Sequence, residues 1–192
     1  MEGVELPEPG EDGSDRGFFN AIALAVALLS AFMAVSKIKD DNIVQAMQKA
    51  QADTVDYWNE YQARHQREFG VTMAIEQLKA TQPDTPDRAK TIDEWQKNAD
   101  HYKQRAQEAS DAAKQRQADY DAGNNRDDMF DLSDALLSVA LALFAVTALV
   151  RIRWLFGLAS VFGIGGVIFA VGGFNNWMAL HDRMQVIIAF LS

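Results

Sequence analysis

Three long apolar runs are set into a chain that is otherwise strongly polar. Phe18 to Val35 carries no charge over 18 residues, Ala135 to Val150 none over 16, and Trp154 to Phe174 none over 21. A helix needs about 20 apolar residues to cross a bilayer. The pattern therefore predicts an all-α membrane protein with transmembrane helices over 18–38, 135–150 and 154–174.

Between the first two runs lies an extramembrane stretch, 39–134, rich in Ala, Gln, Lys, Asp and Glu, the makeup of long solvated helices. Its strong punctuation is Thr81-Gln82-Pro83-Asp84-Thr85-Pro86-Asp87. Proline ends one helix near Ala80 and is harmless at the start of the next, near Pro86, where its missing N–H has no partner to lose. The arms on either side, Ser36 to Ala80 and Asp87 to Asp134, have 45 and 48 residues. Matched lengths predict an antiparallel coiled-coil hairpin with its tip at 81–87. Gly123-Asn124-Asn125 are poor helix formers and mark a place where the second arm can kink.

On the second arm Ile92, Trp95, Ala99, Tyr102, Ala106, Ala109 and Ala113 recur at spacings of 3 and 4, the signature of a heptad seam. Small side chains in that row let two backbones approach closely, so the bulk is expected from the first arm, with Trp58 and Tyr61 prominent. Tyr57, Phe69, Val71 and Met73 fall off this expected seam.

The apolar runs carry small residues at close to four-residue spacing: Ala27 and Ala31, then Ser138 and Ala142, then Ala159, Gly163, Gly166 and Ala170. In lipid such rows favour close helix contact. No charged side chain lies inside any run, which argues against an ion or proton path through the membrane.

The ends read differently. Residues 1–17 hold six acids, two prolines and four glycines, too little apolar area to offset the entropy of ordering, and are expected as a disordered acidic tail. An acidic leader does not resemble the basic opening of a signal peptide, so the first run is expected to stay as a membrane helix. The last segment, 176–192, carries His181, Asp182 and Arg183 at its centre between apolar positions and is expected as an amphipathic interfacial helix.

Several functions are disfavoured by composition. A net charge of -9 is wrong for a nucleic-acid surface, and with no Cys there is no thiolate metal site, iron–sulfur cluster or thiol nucleophile. Phosphate loops, nucleophile motifs and dinucleotide fingerprints are missing as well. His65 and Glu68 stand one turn apart, and Asp127, Asp128 and Asp131 form an acidic run, but both patterns read first as solvated helix faces. No catalytic, cofactor-binding or metal residue is assigned, and no cofactor or small-molecule substrate is evident.

Arg151 and Arg153 sit in the short turn between the second and third runs. Basic short loops resist translocation, which places this turn in the cytoplasm and the hairpin on the periplasmic side; Lys37 and Lys39 pull the other way. Trp58-Asn59-Glu60-Tyr61-Gln62-Ala63-Arg64 and Arg151-Ile152-Arg153-Trp154-Leu155 resemble recurring features of a bacterial membrane family known only as domain of unknown function number four-three-three-seven. The resemblance extends from about Phe18 to Phe174 and implies a span, hairpin, span, basic turn and span, with no activity. Members tend to have a basic N-terminal flank, and the acidic tail departs from that.

The expected function is a non-enzymatic scaffold or interaction protein of the bacterial inner membrane, in contact with lipid and forming a homo-oligomer or joining a larger host complex. The alternative is a ring of identical subunits around a pore.

Overall fold

A computed structural model describes residues 13–177, and these are all-α. The tail expected over 1–17 lies outside the described residues up to position 12, while Gly13 to Gly17 already belong to the first helix; the helix expected over 176–192 lies outside them from position 178. Three helices follow in order: α1, Gly13–Thr81; α2, Pro86–Val150; and α3, Arg153–Asn175. α1 and α2 pack closely as a hairpin. α2 runs through Gly123-Asn124-Asn125 without interruption, so three poor helix formers in 65 residues do not outweigh the propensity and packing of their flanks.

The chain divides into two compact units, one of Val44–Asn124 and one of the residues before and after it. In the first, the hairpin, α1 buries Met47, Ala50, Thr54 and Ile75, with Tyr57, Tyr61, Arg64, Glu68, Val71 and Leu78 half-buried in the same row. The steps between these positions alternate between three and four, so one stripe of the helix faces its neighbour throughout. From α2 come Ala99, Ala106, Ala109 and Ala113, all no more than 4% exposed, and half-buried Ile92, Trp95 and Tyr102. An Arg116 Nε to Asp53 Oδ2 contact of 3.6 Å ties the arms in register. In an antiparallel pair that register sets the alanine row of α2 near the level of Tyr57 and Tyr61, where large side chains meet small ones.

The tip is tied by its own residues. Thr85 Oγ1 accepts the backbone N–H of Arg88 at 3.2 Å, capping α2 one residue before Pro86. The Arg88 guanidinium donates to the carbonyls of Lys79 and Gln82, which terminate α1, and to Asp84 Oδ1 at 2.7 Å. Orphan carbonyls at a helix end need donors, and here a side chain from the next helix supplies them.

The second unit is a three-helix bundle of the apolar sections. Each of the three helices contains a stretch long and apolar enough to cross a membrane. Ile22 of α1, Ala140 and Phe144 of α2, and Ala159 of α3 form the buried centre. Phe156 packs between Phe18, at 5.7 Å, and Phe144, at 5.3 Å in an edge-to-face arrangement. Two hydroxyls of this section bond to their own helix: Thr147 Oγ1 donates to the Leu143 carbonyl at 2.6 Å and Ser160 Oγ to that of Phe156 at 2.8 Å.

Candidate functional site

The small-residue row of α3 is packed along its whole length. Ala159, Gly163, Gly166 and Ala170 are all buried. A Cβ built on Gly163 would meet Leu29 at 3.0 Å, and one on Gly166 would meet Leu137 at 2.7 Å, so glycine is what permits these approaches. The corresponding rows on the other two helices point elsewhere: Ala27, Ala31, Ser138 and Ala142 are exposed in the bundle. Small residues alone do not say which side of a helix meets its neighbour, and here α1 and α2 present larger side chains, Leu29, Leu137 and Phe130, to Gly163, Gly166 and Gly173 of α3.

In the hairpin, Ala99, Ala106, Ala109 and Ala113 are buried, with Ile92, Trp95, Tyr102 and Tyr61 partly buried beside them. Trp58, expected in the seam, is 38% exposed beside it. The facing row passes one position earlier, through Tyr57, which together with Val71 had been placed off the seam. Trp58 instead packs edge-on against the Tyr61 ring at 5.5 Å, and Tyr61 stacks on His65 at 5.8 Å.

Arg151 adopts a left-handed backbone, φ 58, in the tight turn from α2 to α3, and its guanidinium stands 5.3 Å from the centre of the Phe19 ring. Its N–H closes α2 on the Thr147 carbonyl at 2.9 Å. Arg153 begins α3. At the opposite end, Asn176 caps α3 in a left-handed conformation and Arg126 Nε donates to the Gly173 carbonyl at 3.1 Å.

A polar cluster at the edge of the bundle was not assigned from the sequence. Asp40 is only 3% exposed, on the α1 face that also buries Ser36 and Ile43. Lys37 Nζ donates to Asp40 Oδ2 at 2.7 Å. From α2, Asp127, Asp131 and Asp134 surround this pair, and Ser133, 1% exposed, faces the same place. Partial burial, followed by the neighbouring Asp40 carboxyl within hydrogen-bond reach, pushes the Asp127 carboxyl up to about 6. Burial and then the charge of Asp40 raise Asp131 as well. The signal that could have found Asp40 is its spacing: it takes a core position in the run Ser36, Asp40, Ile43, Met47, where a carboxylate is out of place without a role.

Among the described residues no three His, Asp or Glu side chains converge as a metal site, and His65 Nδ1 simply pairs with Glu68 Oε2 at 3.2 Å. Two open grooves of the bundle are almost wholly apolar, one lined by Ile22, Val26, Phe144 and Ala148, the other by Leu28, Leu29, Gly163 and Val167. Such walls offer little to orient a polar substrate.

The model of a family described as a domain of unknown function, DUF4337, matches residues 18–176, and the chain belongs to that family. No curated protein and no solved structure matches the chain.

Proposed function

We propose that this member of the DUF4337 family is a non-enzymatic membrane scaffold or interaction protein that works through its hairpin. The observation that carries the reading is a set of apolar side chains on the polar, extramembrane stretch of α1: Val55 at 55% exposed, Trp58 at 38%, Phe69 at 63% and Met73 at 53%. Lipid covers apolar residues on a transmembrane helix, whereas on a solvated arm they remain against water unless a protein covers them. Every copy carries the same patch, and Ala27, Ala31, Ser138 and Ala142 add an outward small-residue surface for helix contact within the bilayer. A homo-oligomer covers both surfaces; a larger host complex does so equally.

The setting proposed is the bacterial inner membrane, with the Arg151 turn in the cytoplasm and the hairpin on the periplasmic side. The decisive measurement is the mass of the protein expressed alone and extracted in mild detergent, for wild type and for Phe69→Ser. A defined oligomer that Phe69→Ser weakens supports self-association. A clean monomer removes it and leaves the accessory-subunit form. Orientation is read separately: with no native Cys, Lys97→Cys gives a single thiol that an impermeant maleimide labels in intact spheroplasts if the hairpin is periplasmic.

A further inference from the structure

Three buried side-chain oxygens, Ser36 Oγ, Asp40 Oδ1 and Ser133 Oγ, have no hydrogen-bond partner among the described residues. Their residues are 6%, 3% and 1% exposed, and all three line one cavity of about 10 Å³ between α1 and α2, closed further by Lys37, Phe130 and Asp134. Elsewhere in the chain Thr54, Thr147 and Ser160 each donate to the carbonyl four residues back. Ser36 and Ser133 do not, although the same carbonyls are available to any helical serine. A buried oxygen left unmatched is costly, so three of them around one space point to a guest that binds oxygen.

We propose that this cavity is a monovalent-cation site of sodium size, with Ser36 Oγ, Asp40 Oδ1 and Ser133 Oγ as ligands. The volume admits one small guest and no more. Divalent metals are disfavoured because no three carboxylate or imidazole groups converge among the described residues. Charge selects a cation over a neutral guest. Around Asp40 stand Lys37 and Asp41 on its own helix, and Asp127, Asp128, Asp131 and Asp134 on α2; α3 adds no titratable side chain after Arg153. Lys37 neutralises one face of the Asp40 carboxylate, through Oδ2, and leaves Oδ1 buried without a hydrogen bond. The carboxylates outnumber that single ammonium, which leaves a net negative charge around the cavity.

The test uses the full-length protein in mild detergent at neutral pH, melted in sodium, potassium or choline chloride at equal ionic strength. Sodium at tenfold excess over its dissociation constant raises Tm by roughly 3 to 6 °C over choline, with a smaller gain in potassium. Ser133→Ala and Ser36→Ala lose the increment, and Ser30→Ala, at an exposed position of α1, keeps it. Sodium NMR line broadening by the wild-type protein gives a readout independent of folding of the variants. Equal Tm in sodium and choline with no line broadening overturns the proposal, as a trapped water would give; so does a sodium increment that Ser133→Ala and Ser36→Ala both retain.

Discussion

Gly166 of α3 and Leu137 of α2 approach so closely that a Cβ on Gly166 would stand 2.7 Å from Leu137 Cγ and 3.1 Å from the Ser133 carbonyl oxygen. The obstacle is a branch point and a backbone atom, neither of which swings aside. Gly166→Ala is therefore expected to destabilise the bundle by about 1 to 3 kcal/mol through overpacking. Gly163→Ala meets only the end of the flexible Leu29 side chain at 3.0 Å and costs less, while Gly157→Ala meets nothing within 4 Å and gains helix propensity. Thermal melts in detergent that failed to rank the three in this order would show that α3 packs by another face.

Overpacking the hairpin follows the same logic. Ala106 and Ala109, 3% and 4% exposed, leave no room for a longer side chain in the α2 row. Leu at either position is expected to splay the arms at a cost of about 1 to 3 kcal/mol. Trp58→Ala, at a more exposed position, should cost less than Tyr61→Ala; guanidinium unfolding followed by helicity ranks these variants.

Arg88→Ala removes the donors that cap α1 at Lys79 and Gln82 and frees Asp84. The Arg88 side chain is only 15% exposed, so water does not simply replace it. The expected loss is about 1.5 to 3 kcal/mol, localised at the tip. Amide exchange should accelerate over 79–88 and leave Ala99 to Ala113 unchanged; uniform acceleration would contradict a local role.

Asp127 supplies a pH dependence whose sign is opposite to that of a salt-bridged acid. Its folded pKa is raised from 3.8 to about 6, so between these values the folded protein binds more protons than the unfolded chain. Stability contributed by this group is lost as pH rises towards and past 6 and regained as pH falls towards 4. In sodium-free buffer Asp127→Asn should flatten that part of the stability profile, and Asp40→Asn should do so in part by removing the repelling partner. A wild-type profile that falls on acidification over this window would contradict the assignment.

Much of the architecture was legible because its signals are local. Pro83 and Pro86 end one helix and start another at Thr81 and Pro86 wherever the arms go, and uncharged runs of 16 to 21 residues announce the apolar sections by length alone. Ala99, Ala106, Ala109 and Ala113 stood out because no large polar residue interrupts that row. The facing row on α1 was harder to read, since Thr54, Arg64 and Glu68 occupy positions in it and the most conspicuous aromatic, Trp58, is one residue off. Half-burial lets long polar side chains keep their heads in water while their stems pack, so hydrophobicity alone misplaces such a seam.

The sequence by itself determined where α1 ends, where α2 begins and which sections are apolar, because backbone propensity, capping and bulk hydropathy add up along the chain without reference to a partner. The tertiary structure decided rotation about each helix axis. Ala27, Ala31, Ser138 and Ala142 look on paper like Ala159, Gly163, Gly166 and Ala170, yet only the α3 set is buried. Which stripe turns inward depends on the shape opposite it, here Leu29, Leu137 and Phe130 meeting the α3 glycines, and that complementarity exists only once the helices are side by side. Asp40 and Ser133 are far apart in sequence and unremarked in either neighbourhood; packing α1 against α2 placed their unmatched oxygens around one cavity.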